Sequence, residues 1–493
     1  MSKKVAVIGG GIGGLSAAIR LAHKGYDVEL FEKNSSLGGK ANFIQADDFR
    51  FDTGPSLVTM PFVIEELFES TGEKMSDYFS FKQLDLLCKY FYPDGTILNA
   101  YHDKEKFYSE VENKTKDKRE SLIKFYNYCS DIYKYTSDTF LFNDNISLKY
   151  LFNKNSLKAL LNIGKIDLFR TMNEAVSSFF TDEKMIQLFN RYATYNGSNP
   201  YLIPATFNII THVENSIGGG YIEGGMYNLI SSLEKLAIKN GVKFYLNSPV
   251  EKINFSSRKV TGLKVNSEEK KFDIIISNSD VLNTYENLLQ DTTFKTAKKY
   301  KQLEPSTSAI VFYWGVKKTT TEPDVHNILF AKDYKKEFDY LFNKKTCSDD
   351  LTIYIYISSK FSDSDAPEGL ENWFVMVNAP YDNGQDWNEE IKKVKKNVIK
   401  KIDDTFKINL KENIVFGRTM TPKDMMQKTS STKGSIYGIS SNDRMAAFFR
   451  QTNKSKDVEG LYFCGGSAHP GGGIPLVILS GKKVADSILQ NQN

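Results

Sequence analysis

Long apolar runs are missing from this sequence, and so is any excess of charge of one sign. No stretch of the 493 residues approaches the roughly 20 consecutive apolar residues that a bilayer-crossing helix needs. Contact with a membrane is therefore expected to be peripheral. The N-terminal MSKKVAVIGGG is apolar for only a few residues before glycine interrupts it, too short for a secretory signal, which points to a cytoplasmic protein. Lys and Arg number 64 against 60 Asp and Glu, a net charge of +4 that argues against nucleic acid as the main partner. Cysteine is scarce. Cys88, Cys129, Cys347 and Cys464 are scattered without a C-x-x-C pair, which suggests neither a zinc site nor a disulfide framework and suits buried thiols in a reducing compartment. Asp52-Thr53-Gly54 has no second copy, so the paired carboxylates of an aspartic protease are excluded. Neither an internal repeat nor a low-complexity linker is present. The length nevertheless exceeds what one hydrophobic core organises, so two or three domains are expected.

What is present begins at the first residues. KVAVIGGGIGGLSAAIRLAHKGYDVELFE, residues 4–32, reads as strand, glycine turn, helix and second strand. Gly9, Gly11 and Gly14 give G-x-G-x-x-G: a tight turn, close approach of the backbone to a pyrophosphate, and close packing of helix on strand. Leu15, Ala18, Ile19 and Ala22 form the helix's buried stripe, and Gly25 fits its C-terminal stop. The helix N-terminus offers free N–H groups to phosphate, and Glu32 is placed to accept hydrogen bonds from a ribose. A second glycine pair follows at Gly38 and Gly39 before Lys40, then FRFDTGPSL at 49–57, where a nicotinamide-binding domain would simply continue its strands and helices. A longer ligand along the same surface is expected. Near the C-terminus, LYFCGGSAHPGGGIPLVILSGKKVA carries Gly465, Gly466, Gly471, Gly472 and Gly473 between a strand-like and a helix-like run.

These motifs together resemble the bacterial phytoene desaturase type of carotenoid desaturase, FAD enzymes within the amine-oxidase-like flavoprotein superfamily. RYATYNGSNP at 191–200, residues 218–253 and DIIISNSD at 273–280 match in style, so the resemblance spans nearly the whole chain. It implies an α/β protein: a Rossmann-like FAD-binding domain, a mixed-sheet substrate domain and a helical insertion. It also implies that the first and last motifs meet on one noncovalently held FAD. By position, Gly9, Gly11, Gly13 and Gly14 would surround the pyrophosphate and Glu32 the ribose, with Lys33 beside it. Gly39, Lys40, Gly54 and Pro55 would follow the phosphate and flavin side, Val250 would meet the adenine through its backbone, and Asn278 would lie near the cofactor. Gly466, Gly473, Ile474 and Pro475 would border the flavin ring. Arg is usual in the family where Lys40 stands, which removes a bidentate contact. The implied chemistry is hydride transfer from a long polyene to the flavin, later reoxidised by oxygen or a quinone. No residue stands out as a general base. His469 is read as a flavin contact or as a loop-ordering residue, and Cys464 as packed rather than as a flavin attachment point. The run of the chain is most like the 1-hydroxycarotenoid 3,4-desaturases. The alternatives are phytoene or dehydrosqualene desaturation, a carotenoid isomerase or saturase, a flavin amine oxidase, and a lipid-escort protein of the same architecture.

The cofactor motifs divide the chain. Residues 1–75, 220–290 and 455–493 are assigned to the FAD domain, with a helix over 226–239. Residues 76–105 and 291–454 are assigned to the substrate domain, with strands in 351–358 and 372–379. Residues 106–219 read as helical and membrane-facing. Within them, 149–170 carries Lys149, Lys154, Lys158, Lys165 and Arg170 against Asp167 alone, interleaved with Leu and Ile. Such a pattern suits either an anionic membrane's inner surface or the protein's own core.

Overall fold

The structure, a computed structural model, describes residues 3–137, 166–217, 219–443 and 450–490. Five parallel strands form the first sheet, in the order Lys243–Tyr245, Asp27–Phe31, Lys4–Ile8, Ile274–Ser277 and Leu461–Phe463. Strands taken from the chain's start, middle and end thus share one sheet. Covered on both faces, the central ones read as unbroken apolar runs, as in KVAVI and IIIS. One face is covered by the helices Ile12–His23, Tyr227–Lys239 and Ile474–Gln490, which bring Leu15, Ala18, Leu229, Leu233 and Ile478 into one core. The other face packs on the antiparallel meander Val250–Ser256, Lys259–Val265 and Glu268–Lys271 through Ile253, Leu263 and Ile275.

The first and last helices cross closely because Gly13 and Gly481 meet there without side chains and Ser16 is small. A Cβ on Gly481 would lie 2.5 Å from the Gly13 carbonyl oxygen, and Ser16 Oγ donates to the Ile478 carbonyl at 2.9 Å. Gly25 takes φ +86° just past the first helix, whose end is closed by Gly25 N–H donating to Ala22 O and Tyr26 N–H donating to Leu21 O.

The second sheet has seven strands in the order Ile414–Met420, Ser308–Lys317, Leu370–Ala379, Ile353–Ile357, His326–Leu329, Leu86–Phe91 and Ile97–Tyr101. All its pairs are antiparallel except the one between His326–Leu329 and Leu86–Phe91, so the sheet is mixed. Strand alternation divides its faces. Ile310, Phe312, Trp314, Ile355 and Val375 turn toward Val394, Val398, Ile402 and Phe406 of the helix Trp387–Phe406. The opposite face looks toward the first sheet. Helices Lys104–Lys114, Arg119–Thr136, Met172–Ser177 and Glu183–Asn190 close one end around Phe125, Phe180 and Phe189.

Asp52 acts where the two units meet. Its carboxylate accepts from Met226 N–H at 3.0 Å and Tyr227 N–H at 3.3 Å, at the start of the Tyr227–Lys239 helix, and pairs with Arg50 at 2.7 Å. Most of the cationic stretch 149–170 lies outside the described residues. Of its described end, Asp167 pairs with Arg170 at 2.6 Å and Phe169 is exposed.

Candidate active site

A cavity of about 560 Å³ lies between the two sheets. One wall is made of backbone. Three glycine segments far apart in sequence converge there: Gly38 N–H donates to Gly10 O at 2.9 Å, and a Cβ on Gly13 would lie 2.9 Å from Gly465 N. The first helix begins at Gly11, with no side-chain cap and no acid in its first turn. Gly11, Ile12 and Gly13 line the cavity, so the positive end of that helix faces it uncompensated.

The glycines divide by what excludes a side chain. At Gly14 a Cβ would stand 2.4 Å from Gly9 O, and at Gly54 it would stand 2.2 Å from Lys40 O, so the protein's own backbone forbids it. Gly9 and Gly39 adopt φ of +94° and +59°. Gly466 is different: its Cβ would meet only Gly472 Cα, at an ordinary 3.6 Å. Gly473, at φ +107°, has nothing within 4 Å of its Cβ position. Both line the cavity together with Ile474 and Pro475, which open the last helix.

Side chains then fix the rim. Glu32 is buried at the end of its strand, and its carboxylate accepts from Gly10 N–H at 2.8 Å, Asn34 N–H at 2.9 Å and Asn34 Nδ2 at 2.6 Å. Lys33 donates from Nζ to Gln427 O at 2.6 Å and Ser430 Oγ at 2.8 Å, which commits its ammonium to a neighbouring loop. Lys40 Nζ donates to Ser435 O at 3.3 Å and to Ile436 O, and has no carboxylate partner among the described residues. Burial pushes its amine down to about 8, against the pull of Asp280. Asn278 ties two glycine loops together: Nδ2 donates to Gly9 O at 3.1 Å, and Oδ1 accepts from the Cys464 thiol at 3.6 Å. Pro55 and Val250 complete this part of the lining.

Two residues weighed for chemistry stand outside the lining. The Cys464 thiol is buried and pushed up in pKa by burial, so it is protonated. His469 sits behind the last glycine loop, where its carbonyl accepts from Ser480 Oγ at 2.8 Å and Asn453 Nδ2 at 2.9 Å. Burial, with Lys483 and Arg450 nearby, pushes its imidazole down to about 4 and keeps it neutral. Arg450, given no role from sequence, holds that loop by donating to Tyr437 O at 3.0 Å, Gly466 O at 3.1 Å and Ile439 O at 3.2 Å. No spacing in the sequence marks it.

The opposite wall is made of side chains. Strand register sets Tyr90, Ile328, Tyr354, Met376, Val311 and Met420 in one row across the second sheet. All but Tyr90 line the cavity, and toward Met420 the row is apolar. At its other end lies a polar cluster. Arg191 and Glu214 approach to 3.5 Å; Tyr192 and Tyr195 hydroxyls donate to Glu214 at 2.8 and 2.6 Å; Arg191 donates to the Tyr90 hydroxyl at 2.8 Å. Glu214 stands in a π-helical turn, Val213–Ile217, a distortion common at functional sites. The family-like stretch RYATYNGSNP contains Arg191 and Tyr195, but nothing in it announces a partner at Glu214.

A glycine-lined groove with an uncapped helix N-terminus, a fixed carboxylate beyond it and open space at Gly466 and Gly473 fits an adenine dinucleotide. The sequence profile of the flavin containing amine oxidoreductases matches residues 12–489, and the chain belongs to that family. It is a flavin-dependent oxidoreductase. Over 486 residues it is 43% identical to a 1-hydroxycarotenoid 3,4-desaturase of a Flavobacterium species, covering 99% of each chain. Over 493 residues it is 35% identical to a 4,4'-diaponeurosporene oxygenase of Staphylococcus aureus, covering 99% of this chain and 98% of the other. The fold is shared with putrescine oxidase at TM-score 0.65, 11% identity and 99% coverage of both chains. An oxidoreductase from Methanosarcina mazei superposes at TM-score 0.63 with 16% identity, covering 98% of this chain and all of the other.

Proposed function

We propose that this protein is an FAD-dependent carotenoid desaturase that introduces a C=C bond into a long polyene, with the 3,4 position of a 1-hydroxycarotenoid as the favoured target. The observation that carries this reading is a single cavity joining the glycine cradle to an apolar strand face. It is supported by the whole-length similarity to a 1-hydroxycarotenoid 3,4-desaturase. FAD, when bound, supplies the acceptor for a hydride leaving a substrate CH₂, while the adjacent carbon gives up a proton and the new double bond joins the existing conjugation.

Gly9, Gly11, Gly13 and Gly14 would hold the pyrophosphate on the first helix's N-terminus, and Glu32 the ribose. Val250 would meet the adenine, with Lys33, Gly39, Lys40, Gly54, Pro55 and Asn278 along the path. Gly466, Gly473, Ile474 and Pro475 would border the flavin ring, where the last helix's N-terminal N–H groups favour negative charge. The chamber's aliphatic and aromatic walls orient the polyene and keep water out, so positioning carries the catalysis. Noncovalent attachment is supported by the packed, protonated state of Cys464, which lies off the cavity wall.

Attachment to the inner, anionic face of a membrane is supported by the insolubility of such a substrate and by the cationic stretch 149–170, whose described end exposes Phe169. No helix among the described residues is long and apolar enough to cross a membrane. Flotation with anionic liposomes tests the attachment: protein left wholly soluble at low salt speaks against it. Anaerobic mixing of holoenzyme with carotenoids and with simple amines tests the chemistry. Bleaching of the flavin by a carotenoid is expected; bleaching by an amine alone would make the protein an amine oxidase.

A further inference from the structure

Behind the glycine wall lies a buried cation that, among the described residues, is bonded to no anion. Arg450 is 7% exposed, and its guanidinium donates to neutral groups: the carbonyl oxygens of Tyr437 at 3.0 Å, Gly466 at 3.1 Å and Ile439 at 3.2 Å. Burial lowers its pKa, yet a guanidinium stays charged inside a protein. Carbonyls satisfy its N–H groups without cancelling the charge, and burying a charge in that state is costly. A neutral donor could tie the same loops at lower cost, so what an arginine adds here is the charge and its position. Tyr437 and Gly466 line the cavity, and a Cβ on Gly471 would lie 3.4 Å from Arg450 Nε. The guanidinium therefore stands directly behind the backbone proposed to border the flavin.

Asp280 is the carboxylate whose charge acts on Arg450, and it acts on Lys40 as well. Its side chain is held by accepting from Leu282 N–H at 3.0 Å and from the Thr432 hydroxyl at 2.5 Å. Lys40 and Asp280 both line the cavity, and the Lys40 ammonium, like the guanidinium, donates to backbone carbonyls. Two cations thus face one carboxylate, which leaves this group of three with a net positive charge. A hydride carries two electrons and one proton, so an acceptor at this wall gains one unit of negative charge as the substrate carbon loses it. A cation already fixed in place stabilises that charge without reorganising. We propose that Arg450, offset by Asp280, is a fixed positive charge that strengthens the bound flavin as a hydride acceptor. The inference rests on the flavin reading of the cavity and adds what sets the acceptor's strength.

The test is the midpoint potential of the flavin in purified holoenzyme, titrated against a reference dye at pH 7 with no substrate present. Arg450→Gln keeps amide donors for the loop carbonyls and removes the charge. It should weaken reduction at least about tenfold, which for a two-electron couple lowers the potential by about 30 mV. Arg450→Lys keeps the charge but loses the planar fork, so it should hold the wild-type potential while flavin content falls. Asp280→Asn keeps a side-chain oxygen to cap Leu282 N–H and removes the negative charge, and it should shift the potential upward. Equal falls in Arg450→Gln and Arg450→Lys, or an Asp280→Asn potential that does not rise, would make Arg450 a loop clamp only and overturn the proposal, leaving the flavin reading standing. If Arg450→Gln does not fold, Asp280→Asn decides alone by the same criterion. Wild-type protein that binds no FAD overturns the flavin reading of the cavity and the proposal with it.

Discussion

The cavity's two walls are built on opposite principles. The glycine wall, proposed to hold the nucleotide, is built from absent side chains, with positive-φ turns and bare Cα atoms lining the cavity. The opposite wall, proposed to hold the substrate, is built from side chains that adjacent strands bring into one row, from Met420 to Ile328. Each piece of a backbone site must be local, because a glycine turn needs its glycines within a few residues of one another. A side-chain site can be assembled from anywhere that register allows. The first kind leaves a motif in the sequence and the second does not.

The sharpest way to break this comparison is to add one methyl or isopropyl group at two glycines of the same wall. Gly14→Val places a Cβ 2.4 Å from Gly9 O and should destabilise the protein by about 3 kcal/mol and abolish flavin binding. Gly466→Ala meets only an ordinary contact at 3.6 Å. Thermal melts of flavin-stripped protein should show it unchanged, or stabilised by up to about 1 kcal/mol, while the flavin-to-protein ratio of the purified enzyme falls. If Gly466→Ala keeps its full flavin, the open space there does not belong to the cofactor.

Asp52 lies between the walls and tests whether a conspicuous motif must be chemical. In the sequence it opens Asp-Thr-Gly; in the fold it caps a helix and pairs with Arg50, buried on the sheet side of the cradle. Asp52→Ala strands Arg50 with Asp365 at 3.5 Å as its remaining partner. A loss of about 3 kcal/mol in denaturant unfolding is expected, with flavin reduction by substrate unchanged per bound flavin. Chemistry that collapses while stability holds would give Asp52 a direct role.

The same contrast governs how much could be read in advance. The strand–turn–helix–strand unit at residues 4–32, the strands inside 351–358 and 372–379, and the last helix at Ile474 were legible because each is a local pattern of apolar period or glycine. The placement of glycine segments on one surface was legible through resemblance. Arg450 was not, since its partners are three backbone carbonyls of two loops. Nor was the Arg191–Glu214 pair, whose members are joined only when one helical segment folds over another and a π turn rotates Glu214 inward. Lys40 and Lys33 were read as cofactor contacts through resemblance; what no local pattern announced is that their ammonium groups also donate to residues 427–436, strapping the cradle to that segment. Asn278 likewise serves as a wedge between glycine loops.

The substrate wall also carries an acid-sensitive element, with a larger depression than that of His469 behind the glycine wall. His326 sits at about 3 in the fold against 6.5 when exposed. Its folded value is depressed, so the unfolded chain binds the proton more readily between those limits. Stability is therefore complete above pH 6.5 and is lost as pH falls toward 3, by about 2 kcal/mol at pH 5. Melting curves from pH 7 to 5 should show a shallower decline for His326→Phe than for wild type. Parallel declines would mean that His326 is protonated freely in the folded protein.

The smallest effect is expected at Cys464, where the two walls' logic meets in one side chain. It follows a strand of the parallel sheet, its sulfur faces Asn278 rather than the cavity, and its thiol is held protonated by burial. Trimming it to alanine removes a packed sulfur and one weak hydrogen bond, a loss of about 1 kcal/mol. Because the thiol is neither exposed to the flavin's path nor ionised, it lacks the thiolate that covalent attachment requires. Acid precipitation should release the yellow colour from wild type and from Cys464→Ala alike, with equal flavin content beforehand. Colour that stays with the wild-type pellet and leaves the Cys464→Ala pellet would show a bond to this sulfur, and with it a motion that brings residue 464 to the cavity wall.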